Sequence, residues 1–167
     1  NILKEMKPSS ILDAGCGPAT ELTGYKRDCI NINYVGLDKS SYMLGVAIKK
    51  HTNTTFVKGE VEALPFGDNA FDMVLLRHIL EHLPVYQLAV REALRVSRHF
   101  VIINFFHRLL PFGIGAKLWN INGYWDNWYS KREFEEFLAS LPIISYKKIK
   151  TKGKSGQTAE IYLVGKK

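Results

Sequence analysis

The chain predicts an α/β fold: a mostly parallel sheet, helices on both faces, and one antiparallel strand contributed by a C-terminal hairpin. Three observations carry this expectation. From Ser10 onward, short apolar and β-branched runs alternate with helix-length amphipathic stretches, the order that right-handed βαβ units require. A glycine turn at Gly15 and Gly17 closes the first apolar run. After Ile143 two strand-like runs are joined through Gly153-Lys154-Ser155-Gly156, which is hairpin chemistry.

Each element has its own warrant. Ser10 to Asp13 is a short apolar strand, and Tyr34 to Asp38 is a second. Ser40 is a good N-cap for a helix to about Lys50. Thr54 to Lys58 is a third strand, β-branched and aromatic. Phe71 to Leu76 is nearly all apolar, as a strand covered on both faces must be. Leu88, Ala89, Ala93 and Val96 set a helical period over Val85 to Ser97, and His99 to Phe106 is the fifth strand. Residues 107–129 break the rhythm with Pro111, Gly113, Gly115 and Gly123 among aromatic side chains. Ser130 caps a helix to about Leu141, with Glu133, Glu135 and Glu136 near its positive end. Strands around Ile143 to Lys150 and Ala159 to Val164 complete the chain.

Composition narrows the class. Hydrophobic residues make up 46% and aromatics 12%, which excludes a disordered chain. No apolar run reaches membrane-span length and no signal peptide is visible, so a cytoplasmic protein is expected. Cys16 and Cys29 make neither a disulfide framework nor a four-cysteine metal site. The net charge of +7 is concentrated after residue 146, where seven lysines face the single acid Glu160. Lysines guarding the edge of a terminal hairpin account for this; contact with an anionic membrane or with nucleic acid is the other reading.

The chemistry begins at Asp13-Ala14-Gly15-Cys16-Gly17-Pro18-Ala19-Thr20. Glycines past a strand permit a tight turn and close approach of backbone to ligand. The acidic Asp13 ahead of them suits a ligand bearing an ammonium or sulfonium rather than a pyrophosphate, which points away from a nicotinamide oxidoreductase. Asp38 ends the second strand, where a carboxylate can accept both hydroxyls of a ribose.

With these residues the chain resembles the class I S-adenosylmethionine-dependent methyltransferases, specifically their small-molecule branch. Asp13, Gly15, Cys16 and Gly17 match the family's acidic-x-Gly-x-Gly loop, with Ala19 where a third glycine usually lies. The run Asp38-Lys39-Ser40-Ser41-Tyr42-Met43-Leu44 with Ala47 looks like its second motif, in which the methionine packs on adenine. In Gly59-Glu60-Val61-Glu62-Ala63-Leu64-Pro65-Phe66, Glu60 would accept from the adenine amino group and the Val61 backbone would meet the ring. Arg77 would contribute backbone contacts to the cofactor's amino-acid part. The resemblance implies a Rossmann-like sheet in a single domain over residues 1–167, with 107–129 as an insertion or lid. It also implies one or two cofactor-covering helices ahead of Asn1, without which the core would bind cofactor but turn over poorly.

The implied cofactor is S-adenosylmethionine and the implied reaction is direct displacement, in which the protein supplies alignment and a dry site. Either His78 or His82 stands as a general base, since both follow the fourth strand at the ligand-binding edge of the sheet. His78-Ile79-Leu80-Glu81-His82 also fits a zinc pattern with two histidines at i and i+4. Pro84 and the lack of a third ligand argue against it, and no metal is expected. The sequence after the fourth strand lacks the Asn/Asp-Pro-Pro-aromatic run of amino-group methylases acting on bases. A small-molecule or lipid-like acceptor is therefore expected. Two alternatives are a catalytically weak methyltransferase-like binding subunit and an RNA methyltransferase. Trp119, Trp125, Trp128 and Tyr129 either wall the acceptor site or pack beneath a long loop.

Overall fold

The computed structural model describes residues 2–105, 116–119, 125–152 and 158–166. Five parallel strands form in chain order: β1 (Ser10–Ala14), β2 (Asn33–Asp38), β3 (Thr55–Lys58), β4 (Phe71–Arg77) and β5 (Ser97–Asn104). Beyond β5 lie β9 (Thr158–Lys166), antiparallel to both neighbours, and the edge strand β8 (Ile143–Lys152). The sheet order is β3-β2-β1-β4-β5-β9-β8. The chain leaves β1 toward one edge and returns to place β4 on its other side. Loops after β1 and β4 thus diverge at a topological switch point, where open α/β sheets bind ligands.

Pleating explains how both faces are covered. Leu12 and Ala14 of β1 join Val74 and Leu76 of β4 and Val101 and Ile103 of β5 in one core cluster. Ile11, Met73, Leu75 and Ile102, displaced by one residue, join the opposite cluster with Leu22 of α2 (Thr20–Arg27) and Ala47 of α3 (Ser41–Lys50). On the first face α4 (Gln87–Val96) buries Ala89, Val90, Ala93, Leu94 and Val96, and α5 (Lys131–Ala139) buries Phe134 and Leu138. The Ser130 hydroxyl caps α5 by accepting from the Glu133 N–H, and the Ser40 hydroxyl caps α3 by accepting from the Met43 N–H.

Several boundaries differ from expectation. Helix α4 starts at Gln87 rather than Val85, because Val85 and Leu88 face solvent and the buried stripe begins at Ala89. It runs straight into β5 at Ser97. Ser97, expected at the helix end, and Arg98, expected between helix and strand, are therefore strand, with Ser97 opposite Phe71 and Arg98 paired with Asp72 of β4. A short helix α1 (Ile2–Met6) precedes β1, with Leu3 buried. Helix α2 carries no side-chain cap; its N-cap position is Ala19, which explains its faint local signal.

The segment 107–129 contains regular structure that sequence rhythm does not suggest. Strands β6 (Ala116–Trp119) and β7 (Trp125–Trp128) pair antiparallel in a separate two-stranded sheet. The remainder of that segment up to Tyr124 lies outside the described residues. Tyr129 is a core residue, edge-on to Tyr86 at 4.7 Å and to Phe105 at 6.2 Å, so it packs beneath the fold rather than over a substrate. Trp125 and Trp128 are half-buried. The lysines of β8 sit on the sheet edge: Lys147 and Lys150 are exposed, and Lys148 pairs with Glu135. Among the described residues no helix is long and apolar enough to cross a membrane.

Candidate active site

Three loops and one turn meet at the carboxyl end of the sheet. The loop after β1 takes left-handed backbone at Gly15 (φ +83°) and Gly17 (φ +52°). A Cβ on Gly15 would lie 2.6 Å from Ile79 Cγ1, so only glycine lets the turn after β4 close onto this loop. The N–H groups of Gly15 and Cys16 both donate to the Leu37 carbonyl, at 2.7 and 2.9 Å, tying the loop to the end of β2. Ala19, at the position of the third family glycine, is also left-handed (φ +55°) and fully buried. That backbone costs an alanine roughly 1 kcal/mol, offset here by packing of its methyl group in the core beside Ile11 and Leu22.

Asp38 forms the second wall. One carboxylate oxygen accepts from the Gly17 N–H and the other from the Ser40 N–H, each at 2.8 Å. The carboxylate is thereby oriented while each oxygen keeps a second lone pair for a ligand hydroxyl. The third wall, Gly59-Glu60-Val61, is braced from α4. Glu92 accepts from the Leu64 N–H at 2.9 Å, and Arg95 donates to the Leu64 and Phe66 carbonyls at 3.0 and 2.9 Å while pairing with Glu92 and Asp68. The fourth wall is Ile79, His82 and Leu83. Together with Lys39 and Ser40 these residues line a partly open cleft of about 110 Å³.

The predicted residues separate into groups. Gly15, Asp38, Lys39, Glu60, Val61 and His82 line the one cleft. Cys16 and Gly17 belong to its loop; burial raises the Cys16 thiol pKa, with the Asp13 and Asp38 charges adding to the effect, so the thiol stays protonated. Met43 is exposed at the start of α3 and is not part of the cleft lining. Arg77 forms an ion pair with Glu21 of α2. Ile79, Leu83, Ser40 and Gly59 also line the cleft, a role that no sequence pattern assigned to them.

Asp13 does not line the cleft. It is buried beneath the loop and accepts from the Tyr34 hydroxyl at 2.6 Å. Burial pushes its carboxyl up to about 7, with the Tyr34 hydrogen bond opposing that rise. Folding therefore tightens proton binding at Asp13. Its contribution to stability is fully present below its ordinary pKa of 3.8 and is lost as pH rises to about 7. Asp13→Asn, which can still accept from Tyr34, is expected to flatten that part of the stability profile in urea denaturation at a series of pH values. An unchanged slope would show that Asp13 does not titrate in this range.

The two histidines differ. His78 has left-handed backbone (φ +54°), and its N–H donates to the Asn104 carbonyl at 2.8 Å. Burial, then the Arg77 charge, lowers its imidazole to about 4, so the ring is neutral at pH 7. His82 lines the cleft, and its Nδ1 lies 2.9 Å from the Trp125 carbonyl oxygen of β7. Between them Leu80–His82 is a single 3₁₀ turn, so the helical face on which a zinc pattern would set both rings does not form. Among the described residues no group of three or more His, Cys, Asp or Glu could hold a metal ion.

Comparison with known proteins agrees with this geometry. A family described as a methyltransferase domain matches residues 12–102. The demethylmenaquinone methyltransferase of Paenarthrobacter aurescens is 28% identical over 92% of this chain and 53% of its own length. The sterol 24-C-methyltransferase of Schizosaccharomyces pombe is 35% identical over 56% of this chain and 26% of its own. The chain spans about half or less of the length of these curated relatives. The 1,6-didemethyltoxoflavin-N1-methyltransferase of Burkholderia thailandensis, solved with its substrate and S-adenosylhomocysteine, superposes with a TM-score of 0.71. That match is 20% identical and covers 98% of this chain and 74% of the other.

Proposed function

The chain belongs to the methyltransferase-domain family, and from that membership we propose that its cleft binds S-adenosylmethionine for methyl transfer to a small, largely apolar acceptor. The observation that carries the reading is Asp38, a carboxylate oriented by two backbone N–H groups at the mouth of a glycine loop. The residues present fit a nucleoside. Asp38 can take ribose hydroxyls, Val61, Ile79 and Leu83 offer apolar surface to a flat ring, and Glu60 stands at the rim for an exocyclic amine. When bound, S-adenosylmethionine supplies a methyl group already activated on a sulfonium. The protein's tasks are then to orient, to exclude water and, for an acceptor that must lose a proton, to receive it. His82 suits the last task because it lines the cleft, whereas His78 is turned to Asn104 with a ring of low basicity.

The acceptor class is supported by the relatives. Those relatives are named for demethylmenaquinone and sterol, both bulky apolar molecules. The decisive test is calorimetric titration of the chain with S-adenosylhomocysteine and with NADH, followed by an untargeted search for products labelled from methyl-labelled S-adenosylmethionine. Binding of S-adenosylhomocysteine but not NADH, and a labelled apolar product, are expected. Binding of NADH alone would overturn the reading.

A further inference from the structure

The turn that carries His82 is fastened to β7 by hydrogen bonds from buried side chains. Asn127 Nδ2 donates to the Leu83 carbonyl at 2.6 Å and to the Tyr129 hydroxyl at 3.0 Å. The Tyr129 hydroxyl, with one proton, is shared between the carbonyls of Leu83 at 2.9 Å and Leu80 at 3.1 Å. Asn127 is 2% exposed and Tyr129 8%. The carbonyls they hold, of Leu80 and Leu83, bracket His82 in sequence, and the carbonyl of Trp125, two residues before Asn127 in β7, accepts from the ring itself. A backbone carbonyl only accepts, so Nδ1 must carry the proton. In the neutral ring Nε2 is then the acceptor nitrogen. This is the tautomer that water disfavours, so the protein must impose it.

We infer that Asn127 and Tyr129 are positioning residues for His82: they clamp the 80–83 turn to β7 so that the Trp125 carbonyl holds the proton on Nδ1, which makes Nε2 the basic nitrogen of the neutral ring. The catalytic consequence rests on the reading of the cleft as a methyl-transfer site; the tautomer does not. Neither residue belongs to a recognisable motif. Both lie in the aromatic segment that sequence alone offers as a lid, and they act from beneath the site rather than over it.

The test is a long-range proton–nitrogen correlation spectrum of the ¹⁵N-labelled 167-residue chain, taken at about pH 8 and assigned with His82→Gln. The Nδ1–H tautomer is expected in the unmodified protein. Tyr129→Phe keeps the ring packed on Tyr86 and Phe105, and with Asn127→Ala it is expected to shift the tautomer ratio by about tenfold, the worth of one neutral hydrogen bond. An Nε2–H ring in the unmodified protein overturns the proposal, and that result needs no variant to fold. An Nδ1–H ring that persists in the double variant removes Asn127 and Tyr129 as its cause. Failure of the unmodified chain to bind S-adenosylhomocysteine would instead strike the cofactor reading and leave the tautomer result standing.

Discussion

Asp38→Ala is expected to weaken S-adenosylhomocysteine binding by at least about tenfold, because each charge-assisted hydrogen bond to a ribose hydroxyl contributes roughly 1.5–3 kcal/mol. The loss has a second component. Asp38 also accepts from Gly17 and Ser40, so the variant leaves the glycine loop and the start of α3 without their shared anchor. Asp38→Asn retains one acceptor oxygen and should fall between the two. Calorimetry on folded variants checks this directly. Unchanged affinity in Asp38→Ala would remove the carboxylate from the site and with it the main support for a nucleoside ligand.

Phe134→Ala is expected to be the most destabilising single change, at about 3–5 kcal/mol. Phe134 is fully buried at the centre of an aromatic group, with ring centroids 5.0 Å from Phe105, 5.1 Å from Tyr162 and 5.3 Å from Tyr86, all edge-on. Such contacts add to the area term, and rigid strands β5 and β9 on one side prevent the cavity from collapsing. Since domains are stable by only about 5–15 kcal/mol, the variant should show a sharply lower urea midpoint with a similar slope. A loss below about 1 kcal/mol would mean that the α5 side of the core repacks freely, contrary to native packing density.

Much of the fold was legible because its signals are local. The glycine turn, the Ser40 and Ser130 caps, and the apolar run Phe71 to Leu76 each specify backbone without reference to distant residues. The two-stranded unit β6–β7 was not legible, because the strand Trp125–Trp128 places polar Asp126 and Asn127 between aromatics and shows no alternating pattern. Asn127 reads as a surface residue until the carbonyls of the 80–83 turn are seen to bury it.

The candidate site divides in the same way. Sequence by itself determined the order of the strands of the main sheet, the family resemblance, and the placing of Asp13 and Asp38 at strand ends. Which of the two carboxylates lines the cleft was decided by tertiary structure. β1 lies at the centre of the sheet with both faces covered, so the pleat turns Asp13 into the core against Tyr34. Asp38 ends the neighbouring strand β2, where backbone N–H groups hold it at the cleft. The two histidines part in the same way: a left-handed residue and a 3₁₀ turn separate the rings, sending one to Asn104 and one to the cleft. A side chain's direction depends on pleat, turn and neighbour together, and only the assembled chain brings those neighbours into place.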